Sequence, residues 1–394
     1  MPRPELPAGL PLTDEVLLML ELRAHPELFT QIAAHQGGEL ALQKKLRATF
    51  APDVVSSAIQ LSELRERGSI KFSRASNMWF DRIGLEQATP EAVAVHKARR
   101  FSGTILDLCS GLGGDSIALA DHCDVTAVDL NPAACLRCWW NAESYGVQPN
   151  LQVECGEVEL KDPGVHLVHL DPDRRPGSGG RTVRLEDAVP GLPFLKELIR
   201  KARGGAIKLS PAANFIGKFP DAELELVSLN GECKEATLWF GELAEPGLWR
   251  ATVLPAGESL AGNPLDAWSE TSEPGQFIYD PDPAIVRSGM IELLAERLEL
   301  FRLDDAEEYL TGPNLVESPF VRAFEVIDVL PYKEKELRRY FRGAEFGQLE
   351  IKCRHIPVPI ESLRKKLRLE GDQPGVLIVA RVAGASRAIV CRRV

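Results

Sequence analysis

The chain has 394 residues, with 44% hydrophobic and 26% charged side chains and a formal net charge of −11. That is enough for two to four domains with sizeable apolar cores, and no run approaches the roughly 18 consecutive apolar residues of a membrane helix. Eight cysteines in a chain of this length read as reduced thiols, which excludes a disulfide framework.

The first residues, MPRPELPAGLPLTDE, are proline-rich and acidic, without the basic and then apolar order of a signal peptide. A cytoplasmic location is therefore expected. Residues 14–70 have helical periodicity: in DEVLLMLELRAH and PDVVSSAIQLSELRERG apolar residues recur at three- and four-residue spacing. Asp14 and Asp53 are expected as N-caps and Gly68 as a stop. KFSRASNMWFDRIGLEQATPEAVAVHKARRF leads into a further helix, with Thr89-Pro90 as N-cap and first-turn proline. Residues 1–98 thus read as an N-terminal helical domain.

From residue 104 the rhythm becomes short strand, turn, helix: TILDLCS, GDSIALADHC, DVTAVDL, PAACLRCWWNAESYG, LQVECG, VHLVHLD, GLPFLKELIRKAR and GAIKLSP. Such alternation implies βαβ units and a parallel sheet. LELVSLNGECKEATLWFG then reads as two strands around Asn230-Gly231, a hairpin signal, with WRATVLPAG as a further strand. The domain runs over 99–255 and its class is α/β, a mostly parallel sheet ending in an antiparallel hairpin. Residues 256–316 read as a Pro-, Gly- and Ser-rich linker followed by one helix, AIVRSGMIELLAERLEL. Residues 317–394 alternate strands with two basic helices, KEKELRRYFRG and PIESLRKKLRL, in α+β order. Residues 318–394 hold 16 Lys and Arg against 9 Asp and Glu, a net of +7 that leaves −18 for the remainder. A basic segment on an acidic protein is either a nucleic-acid surface or a solvated positive face.

The chemistry concentrates in ILDLCSGLGGDSIALA, a strand, a glycine turn and a helix start. Gly111, Gly113 and Gly114 allow a tight turn and close approach to a ligand, and Asp115 falls at the helix N-terminus. VTAVDLNP ends a second strand in Asp129, where a carboxylate can bind the two hydroxyls of a ribose. A dinucleotide fingerprint counted from Gly111 is broken, because its third glycine position holds Ser116. S-adenosylmethionine has no pyrophosphate and needs no third glycine, and Asp107 at the end of the first strand can meet its ammonium group.

At these residues the sequence resembles the class I S-adenosylmethionine-dependent methyltransferases, whose sheet is Rossmann-like. DLCSGLGGD, AVDLNP, CGEVE and LDPDRR correspond to their first four motifs over 100–255. The resemblance implies that S-adenosyl-L-methionine lies along Asp107, Cys109, Ser110, Gly111, Gly113 and Asp115. It puts Asp129 at the ribose, Leu130 as a further cofactor contact, and Gly156 and Glu157 by the adenine. Asp171-Pro172 would lie beside the methyl group. It matches the start of the Asp/Asn-Pro-Pro-aromatic motif of nucleic-acid amino methyltransferases, from which Asp173 and Arg174 depart. No aromatic is present there to stack a flipped base. Arg174 and Arg175 are instead expected to stack on a base or clamp a phosphate, or to pair with Asp173 or Glu186. PGSGGR reads as a flap. Lys208 and Ser210, at the end of AIKLSP, face the same edge as acceptor-pocket residues.

Neither DPDRR nor IKLSPAANF offers a nucleophilic cysteine, which disfavours cysteine-based base methylation. Cys135-x-x-Cys138 lacks a second ligand pair, so no metal is expected. Over about 70–394 the arrangement is similar to a bacterial group of these enzymes that ends in a THUMP-like domain, and the centre also resembles the trimethylguanosine-synthase branch. That similarity implies an RNA partner, and Glu86, Gln87 and Thr89 closing over the cofactor. The basic helices would meet phosphates, with Arg364, Lys365 and Lys366 clustered on the second. The expected function is methyl transfer from S-adenosylmethionine directly to a base nitrogen of RNA, catalysed mostly by positioning, with Asp171 orienting the acceptor or taking its proton. The alternatives are a protein or small-molecule methyltransferase whose C-terminal domain serves oligomerisation, and a cofactor-binding RNA protein without turnover.

Overall fold

A computed structural model describes residues 6–164, 166–174, 185, 188–214 and 217–394, with the backbone alone for Asp173 and Arg174. They form two compact units, Met1–Glu223 with Glu235–Pro246, and Leu224–Lys234 with Gly247–Val394.

The first unit opens with four helices, α1 (Asp14–Ala24), α2 (Pro26–Ala33), α3 (Glu39–Leu46) and α4 (Pro52–Gly68). The N-cap of α1 is Thr13, whose hydroxyl accepts the Val16 amide at 3.4 Å, and that of α4 is Ala51 ahead of Pro52. Asp14 and Asp53 lie inside the first turns, where a carboxylate favours the helix dipole without capping. Helix α5 (Arg82–Gln87) is capped by Asp81, and α6 (Glu91–Ala98) begins after Pro90 rather than Thr89. The Thr89 hydroxyl is taken by a tertiary partner described below.

Then follow β1 (Thr104–Leu108), α7 (Gly114–Ala120), β2 (Asp124–Asp129), α8 (Pro132–Tyr145), β3 (Leu151–Cys155) and β4 (Leu167–Leu170). A two-residue ribbon, β5 (Asp173–Arg174) with β6 (Ala188–Val189), precedes α9 (Leu192–Lys201) and β7 (Gly204–Leu209). The parallel order is β3-β2-β1-β4-β7, which brings β1 to the centre. One apolar cluster runs from Val16 of α1 through Trp79 and Trp140 to Trp239, so the core does not divide at residue 98.

The hairpin residues Asn230 (φ 53°) and Gly231 (φ 77°) join β8 (Glu223–Leu229) to β9 (Glu232–Gly241). Paired positive φ is the type I′ geometry that Asn-Gly favours. In the first unit the end of β9 pairs antiparallel with β7. In the second, β10 (Trp249–Leu254) pairs parallel with β8 and antiparallel with β11 (Glu258–Gly262). The Pro-, Gly- and Ser-rich stretch expected as linker thus carries β11 and β12 (Phe277–Pro281), with Gly257 (φ 75°) making the tight return from β10 to β11. The single helix expected at 284–300 is two, α10 (Pro283–Ser288) and α11 (Ile291–Leu298), broken where Gly289 takes φ 71°.

After β13 (Phe301–Arg302) and β14 (Leu310–Gly312) come β15 (Val321–Pro331), α12 (Glu334–Phe341), β16 (Phe346–Cys353), α13 (Ile360–Lys366), β17 (Gln373–Val382) and β18 (Ala385–Arg393). They share a seven-stranded sheet, β13-β14-β12-β15-β18-β17-β16, so the basic segment pairs with strands upstream of residue 317. Among the described residues no helix is long and apolar enough to cross a membrane.

The tightest packing of the parallel sheet is at Gly205 of β7. A Cβ there would sit 1.9 Å from the Val168 carbonyl oxygen of β4. Gly205→Ala must separate two paired strands, so it should cost more than the ~1–3 kcal/mol of ordinary overpacking. Urea denaturation reads this directly, and an unchanged midpoint would refute the close β4–β7 contact.

Candidate functional site

The C-terminal ends of β1 and β2 carry the glycine turn. Cys109 (φ 59°), Gly111 (φ 54°) and Gly113 (φ 90°) all take positive φ, and Gly113 is the N-cap of α7. At Gly113 a Cβ would also lie 2.8 Å from Cys138 Sγ. Gly111 and Gly156 border open space on the side a Cβ would fill. The Ser110 amide donates to the Val128 carbonyl at 3.1 Å, which folds the turn back on β2. Asp129 accepts the Gly111 amide at 2.8 Å and the Asn131 amide at 2.9 Å. Burial pushes its carboxyl up, against those amide bonds. Beside it Leu130 is 68% exposed, unusual for a leucine at the end of a buried strand. The Gly156 amide donates to the Asp129 carbonyl, and Glu157 is exposed.

Beneath the turn the residues are ionic. Asp107 is buried, accepting from His169 Nδ1 at 2.7 Å and from the Ser116 hydroxyl. Asp115 accepts the Thr89 hydroxyl at 2.7 Å and pairs with Lys97 Nζ at 2.8 Å. Lys97, 1% exposed, also pairs with Glu235 of β9 at 2.9 Å and lies 3.3 Å from His169 Nε2. Burial disfavours the Lys97 ammonium, but Asp115 and Glu235 outweigh it and raise its pKa. Burial likewise opposes ionisation of Asp115, yet Lys97, His169 and Lys208 hold its carboxyl below the carboxylate range. Asp107 and Asp115 are thus engaged by His169, Ser116, Thr89 and Lys97 in the interior.

Asp171 lies at the end of β4, the edge that the sequence suggests for the acceptor. The Asp171 amide donates to the Leu108 carbonyl at 3.2 Å, which holds it against the start of the glycine turn. Its Oδ2 pairs with Lys208 Nζ at 2.6 Å, and Lys208 donates also to the Gln87 carbonyl at 3.0 Å. Burial opposes the Lys208 charge, while Asp171, Asp115 and Glu235 outweigh it and raise its pKa. The segment after α5 is fastened a second time: Lys71 Nζ donates to the carbonyls of Leu85, Glu86 and Ala88 at 2.8–2.9 Å. Glu86 and Gln87 are exposed there and Thr89 is buried. Ser210 Oγ accepts the Ala212 amide at 3.3 Å. The Arg174 backbone joins the β5–β6 ribbon; its side chain, Arg175 and the PGSGGR stretch lie outside the described residues. In the second unit Arg364 pairs with Glu361 at 3.3 Å and Lys366 with Glu334 at 2.8 Å, and Lys365 is exposed with no ion pair among the described residues.

Two uncharacterized S-adenosylmethionine-dependent methyltransferases of Mycobacterium tuberculosis, from strains CDC 1551 and H37Rv, are each 30% identical over 364 residues, covering 88% of this chain and 99% of theirs. The chain belongs to the S-adenosylmethionine-dependent methyltransferases. Residues 102–187 of this methyltransferase match the family model described as RNA cap guanine-N2 methyltransferase, and residues 321–393 match that described as THUMP domain-like. A crystal structure from Porphyromonas gingivalis W83, assigned as a methyltransferase, shares the fold with a TM-score of 0.78 at 19% identity, over 97% of this chain and 100% of that one.

S-adenosylmethionine is the cofactor, and the turn suits it. The open space at Gly111 and Gly156 leaves room for close approach, Asp129 is an anchored carboxylate, and Leu130 is an exposed apolar face. Sequence reasoning missed Lys97, His169, Glu235 and Lys71. His169 had a signal, as a polar residue inside the apolar run VHLVHL. Lys97 had none, since a lysine in a helix is ordinarily solvated.

Asp115→Asn removes one counter-charge of a buried ammonium, so it should destabilise the fold by ~3–5 kcal/mol. Because the folded-state pKa of Asp115 is depressed, its contribution is complete above the unfolded value of 3.8 and is lost as pH falls through the folded one. Urea midpoints measured between pH 7 and pH 2 should fall below about pH 4 in the parent and less steeply in the variant. Equal acid slopes would remove Asp115 from the network's electrostatics.

Proposed function

We propose that this methyltransferase acts on RNA and methylates a base nitrogen directly, in the cytoplasm. The observation that carries the reading is the Asp171–Lys208 pair at the end of β4. One carboxylate oxygen is held at 2.6 Å by Lys208, and Oδ1 has no partner among the described residues. A carboxylate held in that way can accept an N–H of an amino group and fix its lone pair toward the neighbouring glycine turn. The match of residues 102–187 to a guanine-N2 methyltransferase model supports a base amino group, and the THUMP-like match at 321–393 supports RNA. None of the eight cysteines is in a disulfide, as suits a reducing compartment.

Bound S-adenosylmethionine supplies an electrophilic methyl group on a sulfonium. We assign its methionine end to the turn Cys109–Gly113, its ribose to Asp129 and its adenine to Leu130, Gly156 and Glu157. Glu86, Gln87 and Thr89 form a covering strap tied down by Lys71 and Lys208. Asp107 and Asp115 set the turn's position from below. Asp171 orients the acceptor N–H and takes its proton, and Lys208 keeps Asp171 in place. Arg174 and Arg175 hold the acceptor nucleotide, with Ser210 at the pocket's edge.

Asp129→Ala removes charge-assisted hydrogen bonds worth roughly 1.5–3 kcal/mol each. Affinity for S-adenosylmethionine by calorimetry should drop ten-fold or more, with Asp129→Asn in between. Asp171→Ala should lower turnover on RNA by roughly a hundred-fold or more, the scale of a lost acid–base group, while cofactor affinity moves by only a few-fold. A labelled methyl group that appears in protein or small molecules, and survives ribonuclease treatment, would overturn the RNA reading.

The second unit supplies an independent check. Replacing Arg364, Lys365 and Lys366 by Ala should make the log–log salt dependence of RNA binding shallower by about two units, at ~0.7 per phosphate contact on single strands. Cofactor affinity should not change. An unaltered slope would mean that α13 does not meet the RNA.

A further inference from the structure

A cavity of about 480 Å³ opens in the first unit between the N-terminal helices and α8, with Phe29, Arg65, Trp79 and Trp140 in its walls. None of its lining residues belongs to the glycine turn, the Asp129 turn or the Asp171 edge.

Arg65 is the unusual member. Its Nε donates to the Met78 carbonyl at 2.9 Å, and its guanidinium carbon lies 4.6 Å from the Phe29 ring centre and 5.6 Å from that of Trp79. One bond and two rings thus fix the plane of the group. Its two terminal amino groups have no acceptor, and no carboxylate pairs with it, among the described residues. Burial alone pushes its pKa down to about 10. Two other stacked arginines of the first unit contrast with it. Arg23 lies over Trp140 but pairs with Glu143 at 2.6 Å, and Arg100 lies over Trp239 but pairs with Glu223 at 2.8 Å. The indole N–H of Trp140, itself sealed from the cavity, also lacks an acceptor among the described residues.

A partly desolvated cation is ordinarily paired, and an immobilised guanidinium with both terminal amino groups free is pre-organised for bidentate binding of an oxyanion. The one carboxylate in the walls, Glu143, is already engaged by Arg23. The volume is that of a small-molecule site rather than of a bare ion, and the aromatic walls suit the uncharged part of an organic anion. We propose that this pocket is a phosphate site, in which the Arg65 fork grips either the phosphate of a free nucleotide or a backbone phosphate of a nucleic acid. It does not depend on the assignment of the acceptor at Asp171.

The test uses the full chain saturated with S-adenosylhomocysteine, so that the cofactor site is filled. Inorganic phosphate, adenosine 5′-monophosphate and a six-nucleotide single-stranded RNA are titrated by calorimetry and by the fluorescence of the pocket tryptophans. Arg65→Met removes the charge and Arg65→Lys keeps it without the fork, so both should weaken binding ten-fold or more. Arg65→Lys decides the matter if the Met variant does not fold. A loss seen with the two small probes assigns a free nucleotide, and a loss confined to the oligonucleotide assigns a backbone phosphate. The proposal is overturned if no probe binds the parent saturably, or if both folded variants bind within two-fold of it.

Discussion

The ammonium of Lys97 is the group on which the first unit depends. It is sealed in the interior, and an ion in that position costs several kcal/mol unless every proton finds an acceptor. Its carboxylate partners come from two different elements, Asp115 on α7 and Glu235 on β9. His169 on β4 lies 3.3 Å from it through Nε2 and meets Asp107 on β1 through Nδ1 at 2.7 Å. A single lysine on α6 thereby fixes the helix after the glycine turn against the central strands and the antiparallel one. None of these pieces can shift without leaving a charge unpaired.

That constraint explains a division of labour at the turn. The side chains of Asp107 and Asp115 hold the turn from beneath, and Thr89 contributes its hydroxyl to the same purpose instead of capping a helix. What remains on the outer side is backbone, the anchored Asp129 and the bare positions at Gly111 and Gly156. A surface of that kind can lie close along a ligand without side chains in the way. The end of β4 is tied to the same frame, since Asp171 is bonded by its amide to Leu108 and Lys208 reaches both Asp171 and the Gln87 carbonyl. The positions of the Asp171 carboxylate and of the end of α5 thus share one side chain.

In the second unit the positive charge is partly spent locally. Arg339 pairs with Glu336, Arg364 with Glu361, and Lys366 with Glu334, which joins the two basic helices. Such exposed pairs are worth little in stability, and their cations stay available to exchange a carboxylate for a phosphate. The net charge of the segment therefore overstates the free positive surface.

Sequence alone accounts for the parallel sheet, the glycine turn, the carboxylates at the strand ends, Asp129 and Asp171, and the alternation of strands and helices after residue 317. Each is written in local signals: alternating periodicities, glycines where φ is positive, a carboxylate closing an apolar strand. Helix starts were misplaced by one or two residues at Asp14 and Asp53, because Thr13 and the Ala51-Pro52 pair compete for the same role. The stretch 255–280 was misread because proline and glycine mark the turns around short strands as readily as they mark a linker. Only the tertiary structure decided which way the acidic side chains face. Asp107 and Asp115 look like ligand residues in sequence, and become interior ones because Lys97 and His169, separated by 72 positions, converge beneath them. Pairing of buried charges across distant segments has no period and no local motif. It is settled only when the chain closes and each desolvated ion must find its partner.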